Sequence, residues 1–84
     1  MRYTKINEGV EAKVEDGYLY VRLTAIRLGM LVQGERAGRI YRMPYGGTID
    51  QVIQQEQESD GPTVIDRAMD PDYGQVIRAG RLIH

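Results

Sequence analysis

Two copies of one short motif carry the arginines best placed to bind an anion. The sequence Arg-Ala-Gly-Arg occurs at residues 36–39 and again at residues 78–81. A guanidinium group holds phosphate or carboxylate through a planar fork of N–H donors. If the two copies meet in the fold, these four arginines form an anion clamp. The simpler alternative is a turn followed by a strand, used twice, with the arginines in solvent.

Tyrosine and arginine side chains are interleaved between residues 18 and 45. Both residue types are enriched at energetically important protein–protein contacts. Tyrosine rings also stack on bases while arginines bind phosphates, so the same segment suits single-stranded nucleic acid as an alternative ligand. For Tyr18 and Tyr20, packing in the core with hydroxyls in water is the expected arrangement. The predicted anion-binding or partner-binding residues are Arg36, Arg39, Arg42, Arg78, Arg81, Tyr41 and Tyr45.

Groups that perform catalysis are scarce. The chain has no Cys, its one His is His84, and its one Ser is Ser59. Nucleophilic catalysis needs a nucleophile, a base that activates it and a group that orients the base. Asp70 and Asp72 resemble the start of a calcium loop, but the twelfth position, which requires Glu, is Arg81. We therefore expect a protein that is not an enzyme and has no cofactor or metal.

Length and composition favour an associating protein. The 84 residues are enough for one domain, spanning 1–84, with a thin margin of stability. Since no disulfide is possible, a partner subunit is the expected source of added stability. We expect protein–protein contacts, including self-association, as an accessory or structural subunit. The chain shows no secretory signal and no apolar run of membrane-spanning length, so a cytoplasmic or intravirion location without membrane contact is expected.

Charge is distributed unevenly along the chain. Residues 1–42 hold eight Arg or Lys against five Asp or Glu, whereas residues 43–84 hold three against seven. Such an asymmetry bears on association rather than on fold. Three interpretations are open. Copies of the chain could pair head to tail, the basic half could bind a polyanion, or the two halves could form solvated faces whose charges balance within one fold.

The clearest structural signal is a β-hairpin over residues 9–23. Apolar and charged residues alternate up to Glu15, Asp16-Gly17 follows, and an aromatic and β-branched run completes the pattern. Asp-Gly suits a type I′ turn, whose two central residues need positive φ. Residues 2–6 are expected to add a third strand.

Together with the hairpin, the residues that follow it predict an α+β fold. Helices are expected near 48–58, with Thr48 and Gln51 as a capping box, and near 62–69, with Pro62 in the first turn. Short strands are expected near 38–43 and 75–83, the last pairing with the first hairpin. Residues 24–33 suit a short helix, with a strand bulged at Gly29 as the alternative. The arginine motif recurs at a spacing of 42 residues, which raises the hypothesis of an internal duplication of 1–42 and 43–84.

Overall fold

A computed structural model describes residues 2–7, 9–24 and 38–79 of the protein, and these form one sheet covered on one side by two helices. The predicted α+β class and the N-terminal hairpin are confirmed. The elements in chain order are β1 (Thr4–Asn7), β2 (Val10–Glu15), β3 (Tyr18–Leu23), β4 (Ile40–Pro44), α1 (Ile49–Glu58), α2 (Val64–Ala68) and β5 (Gln75–Arg78).

The sheet is an antiparallel meander in the order β1-β2-β3-β4-β5. The closing strand was expected to pair with the first hairpin, and this is wrong. β5 pairs with β4, so that Gln75 lies opposite Arg42 and Val76 opposite Tyr41. The helices fill the connection between these two strands, which leaves β1 and β5 as the two edges of the described sheet.

The hairpin turn follows from the backbone freedom of its two central residues. Asp16 has φ 53° and Gly17 has φ 83°. Positive φ at both positions is the requirement of a type I′ turn, so the predicted turn is confirmed. The turn fixes the register in which Glu15 lies opposite Tyr18 and Lys13 opposite Tyr20.

Both helices begin at a threonine that caps the first turn. Thr48 and Gln51 form the predicted capping box, in which the backbone N–H of Thr48 donates to Gln51 Oε1 at 2.8 Å. α2 has a second capping box, in which the backbone N–H of Thr63 donates to Asp66 Oδ2 at 3.0 Å. Pro62 was expected inside this helix, but it lies before the cap because Thr63 supplies the side-chain acceptor for the first turn.

The core lies between the sheet and the helices. Alternation along β2 and β3 turns small and branched aliphatic side chains toward the helices. Tyr41 and Met43 do the same from β4. The expectation that Tyr18 and Tyr20 pack in the core is wrong, because they have the opposite phase to buried Leu19 and Val21. The buried apolar residues are Val10, Ala12, Leu19, Val21, Tyr41, Met43, Val52, Val64, Ile65 and Ala68.

Three expectations fall on residues that the structure does not describe. The helix or strand predicted for 24–33 lies almost entirely outside the described residues, as does the end of the strand predicted for 75–83. Both copies of the arginine motif are only partly described, so the duplication stays a prediction. Over residues 2–7, 9–24 and 38–79, neither helix is long and apolar enough to cross a bilayer.

Candidate binding surfaces

Within the part of the chain that the structure describes, one face of the sheet carries no helix, and we call it the open face. Its residues alternate with the buried ones, and cross-strand partners share a face, so the register identifies them. Tyr3 joins them because its ring contacts Lys13 and Arg22. The other members are Lys5, Glu11, Lys13, Glu15, Tyr18, Tyr20, Arg22, Ile40, Arg42, Pro44, Gln75 and Arg78.

Cations and tyrosine rings contact one another across the open face. Lys13 Nζ lies 5.1 Å from the ring centroid of Tyr3 and 5.0 Å from that of Tyr20. Arg22 Cζ lies 4.0 Å from the Tyr3 centroid, and Arg42 Cζ lies 4.6 Å from that of Tyr18. These distances are within the ~6 Å range of cation–π attraction. The open face is therefore a half-buried layer of stacked polar groups.

Two carboxylates pair with two of these cations. Glu11 Oε1 accepts from Arg22 Nε at 2.9 Å and from Arg22 Nη2 at 2.7 Å. Glu15 Oε1 accepts from Lys13 Nζ at 3.1 Å. Among the described residues, Arg42 and Arg78 have no such carboxylate partner. On this face, a ligand can bind these two arginines without first breaking an ion pair with a carboxylate.

The paired groups have shifted pKa values. The hydrogen bond from Lys13 holds the pKa of Glu15 below its usual value, and the same bond raises the pKa of Lys13. Partial burial raises the pKa of Tyr3, against the opposing effect of the nearby Lys13 and Arg22 charges. The three pKa shifts favour neutral Tyr3, charged Lys13 and ionised Glu15 near pH 7.

A groove of about 260 Å³ lies at the corner where the open face meets the turn before β5. Tyr18 and Tyr73 supply aromatic surface, Arg42 a positive charge and Asp72 a hydrogen-bond acceptor, together with Pro44, Pro71, Gly74 and Gln75. Tyr73 is 60% exposed. An exposed aromatic ring, a cation and a hydrogen-bond acceptor therefore border the same concavity.

The outer edge of β5 is a second candidate surface, which we call the β5 edge. All four residues of the strand are exposed. Val76 is 48% and Ile77 43% exposed, and with Tyr73 they are the large exposed hydrophobic residues of the described chain. A further groove of about 280 Å³ borders the strand on the helix side, lined by Tyr41, Met69, Pro71, Gly74, Gln75 and Val76. Apolar surface therefore lies on both sides of this edge.

The opposite edge of the sheet differs. β1 exposes Thr4, Lys5 and Asn7, and its pairing with β2 is irregular between Lys5 and Asn7. Charged side chains and bulges are features that protect edge strands from pairing with other chains. β5 has an irregularity of its own, yet its two central residues are apolar. The two edges thus differ in chemistry, and β5 is the one suited to accept another strand.

The helix side of the molecule is acidic. The described carboxylates of the helices and their flanking turns are accompanied there by Arg39 and Arg67. They are Asp50, Glu56, Glu58, Asp60, Asp66, Asp70 and Asp72. The open face instead holds Lys5, Lys13, Arg22, Arg42 and Arg78 against Glu11 and Glu15. Among the described residues, net charge therefore differs between the two sides of the fold.

The predicted site residues are divided between these two sides. Arg39 Nε donates to the Ala79 carbonyl at 3.1 Å, and its Nη1 donates to the Tyr41 hydroxyl at 3.4 Å. Tyr41 is buried, and Tyr45 is half-buried against the core. Arg42 and Arg78 lie on the open face. Arg39 and Arg78 are therefore not brought together on one face.

Two predicted site residues, Arg36 and Arg81, lie outside the described residues, so the four-arginine clamp stays a prediction. Four residues of these surfaces were not among the predicted site residues: Tyr3, Lys13, Val76 and Ile77. Lys13 was predictable from the hairpin, because the two-residue turn places it directly opposite Tyr20. The exposure of Val76 and Ile77 has no sequence signal, since an apolar pair in a short strand normally predicts burial.

The described residues contain no group of three or more Asp, Glu or His side chains positioned to hold a metal ion. No protein-family model, no curated protein and no solved structure matches the chain.

Proposed function

We propose that this protein is a small, non-enzymatic binding module that works through protein–protein contacts and associates with itself through the β5 edge. The observation that supports this proposal is that β5 is an edge strand of the described sheet, with exposed Val76 and Ile77 at its centre. An edge strand presents unpaired N–H and C=O groups that another strand can bond. Apolar side chains at the same edge add burial to that pairing.

The strand suits an antiparallel pair with a second copy. Such a pair joins two five-stranded sheets into one of ten strands. When the pair is centred on Val76, this residue lies opposite its own counterpart, Gln75 of each copy lies opposite Ile77 of the other, and Arg78 lies opposite Gly74. Like charges then avoid direct opposition, which would destabilise a strand pair. The groove beside Val76 accepts an apolar side chain from the second copy.

The magnitudes indicate a weak and reversible dimer. Full burial of one Val or Ile side chain contributes about 2 kcal/mol. Because Val76 and Ile77 are already about half covered, four such side chains contribute about 4 kcal/mol together. Loss of translational and rotational freedom costs at least about 4 kcal/mol, so backbone hydrogen bonds must supply the net affinity. We expect dissociation constants of about 10–100 µM, in the range of transient interfaces.

The chemistry of the chain supports a binding role over a catalytic one. The described carboxylates of the helix side are mostly exposed, and a catalytic carboxylate needs burial or a close neighbour to raise its pKa. Association requires only a complementary surface, which the β5 edge supplies.

The test is the mass in solution as a function of concentration. Light scattering on the wild type is expected to shift from monomer at about 1 µM toward dimer at about 500 µM. Ile77→Lys places a charge at the centre of the edge, and this variant is expected to remain monomeric over the same range.

Gln57→Lys is the matched control, because it adds the same charge at an exposed position of α1, away from the β5 edge. This variant is expected to dimerise like the wild type. A wild type that stays monomeric at all concentrations, or a dimer unaffected by Ile77→Lys, would contradict the proposal.

A further inference from the structure

We propose that the open face, together with the groove at its corner, binds single-stranded nucleic acid. This site is separate from the β5 edge and does not depend on self-association. Its ligand is a chain of phosphates with unpaired bases, for which the described residues offer positive charge, aromatic rings and a concave binding site.

Charge complementarity is the first argument. Among the described residues, the open face has five cationic side chains against two carboxylates, whereas six carboxylates lie on the helix side and its turns and one more, Asp72, lines the corner groove. A potential of this kind orients a polyanion toward the open face and away from the helices. An acidic overall composition therefore does not exclude nucleic acid, because the excess negative charge is on the other side of the sheet.

The arrangement of cations and rings is the second argument. Arg42 and Arg78 have no carboxylate partner among the described residues, so both guanidinium groups are available to phosphate. Arg42 lies over the ring of Tyr18 and also borders the corner groove. A phosphate bound there brings the attached base next to the exposed ring of Tyr73. Stacking on aromatic rings with arginine contacts to phosphates is the common mode of single-strand binding.

The corner groove provides a hydrogen-bond acceptor as well as an aromatic ring. Asp72 lines the same concavity as Tyr73. A carboxylate accepts hydrogen bonds from the exocyclic amino groups of cytosine and adenine but repels phosphate. We therefore expect the base, rather than the phosphate, to occupy this end of the groove, with Arg42 on the phosphate side.

The dimensions of the sheet limit the length of the bound segment. Adjacent strands lie about 4.8 Å apart, so the five strands span about 19 Å from β1 to β5. Sheets of similar width stack two or three bases. We expect a short footprint and modest affinity rather than a long wrapped complex.

The test is fluorescence anisotropy with a labelled single-stranded oligonucleotide of about 12 nucleotides. Affinity is expected to fall steeply between about 50 mM and about 200 mM salt, because each phosphate contact releases counterions. Arg42→Gln and Arg78→Gln together are expected to reduce the slope of log affinity against log salt by about 1.4, because each phosphate contact to a single strand contributes about 0.7. Tyr73→Ala is expected to lower affinity about tenfold at fixed salt.

Arg67→Gln is the matched control, because it removes the same charge from the exposed surface of α2. This variant is expected to weaken binding no more than twofold. Circular dichroism of each variant establishes that it is folded. Absence of binding at low salt, or equal losses for Arg67→Gln and Arg42→Gln, would overturn the proposal. Equal or tighter binding of a polyglutamate peptide would also overturn it, by indicating an acidic protein as the ligand.

Discussion

The guanidinium carbon of Arg42 lies 4.6 Å from the centroid of the Tyr18 ring, across the pairing of β3 with β4. Arg42 is directly opposite Tyr20, so its contact with Tyr18 is diagonal. This contact fixes the arginine at the mouth of the corner groove. It is the structural link between the sheet register and the proposed nucleic-acid site.

The Arg42–Tyr18 contact is expected to contribute little to stability. A half-exposed cation–π pair contributes about 0.5–1 kcal/mol, so Arg42→Gln should lower the free energy of unfolding by at most about 1 kcal/mol. Urea denaturation measures this change. Because the loss is small, the variant remains folded in the binding assay. A loss above about 3 kcal/mol would mean that Arg42 is a structural residue and that binding data for its variants are not interpretable.

Leu19 is expected to be far more important to stability. Its side chain is fully buried between sheet and helices. Leu19→Ala removes three carbons from a packed site and should cost about 2–5 kcal/mol in the free energy of unfolding. Tyr20→Ala, one position along on the open face, should cost less because Tyr20 is only half-buried. If the two losses were equal, or Tyr20 the larger, the assignment of the two faces would be wrong.

Thr63 joins the two helices. It is 7% exposed, its hydroxyl donates to a Glu56 carboxylate oxygen, and it caps α2 by accepting from the Asp66 backbone N–H. Thr63→Ala should cost about 1–2 kcal/mol in the free energy of unfolding, because both hydrogen bonds are lost. Thr63→Ser keeps the hydroxyl and should recover most of that loss. Urea denaturation of both variants distinguishes the hydrogen bonds from the methyl contact.

Gly74 lets the chain pass close to the end of α2 before β5 begins. A Cβ atom at this position would overlap the Ala68 carbonyl group, and the Gly74 backbone N–H donates to the Asp70 carbonyl at 2.8 Å. Gly74→Ala should therefore lower the melting temperature and displace β5. Gly61→Ala is the control, since a Cβ there meets no neighbouring atom. Equal melting temperatures for the two variants would show that this close approach does not exist.

The Lys13–Glu15 pair predicts a defined dependence on pH. The pKa of Glu15 is lowered in the folded protein, so its contribution to stability is present above the unfolded pKa and is lost as pH falls through the folded one. The pKa of Lys13 is raised, so its contribution is lost as pH rises through the folded value. Glu15→Gln should thus be less stable than the wild type at neutral pH and closer to it at about pH 3. Thermal melting at both pH values measures this. A gap that widened in acid would contradict the pairing.

Much of the fold was predictable because local signals decide it. Asp16-Gly17 specifies the turn, and Thr48 with Gln51 specifies the start of α1. The strand with which β5 pairs was not predictable from such signals, because any antiparallel neighbour would satisfy the backbone hydrogen-bonding groups of β5 equally well. Helices that lie on one side of the sheet permit β5 to pair next to β4, the strand from which the chain departed.

The candidate surfaces were only partly predictable. Once the turn is type I′, Glu15 must lie opposite Tyr18, and therefore both tyrosines of β3 share a face with charged residues. The register of the hairpin thus identifies from sequence which residues lie on the open face, whereas hydrophobicity alone predicted that the tyrosines pack in the core. Two surfaces depend on tertiary structure and have no local signal: the groove at Tyr73 and the exposure of Val76 and Ile77.

Concentration-dependent amide hydrogen exchange tests the central claim, self-association at the β5 edge, most directly. We predict that amides of Gln75–Arg78 exchange more slowly at about 500 µM than at about 5 µM, since the second strand protects outward N–H groups. Amides of Thr4–Asn7, at the other edge, should exchange at the same rate at both concentrations and serve as the internal control. Exchange in β5 that does not change with concentration, or protection that arises in β1 instead, would contradict the proposed interface.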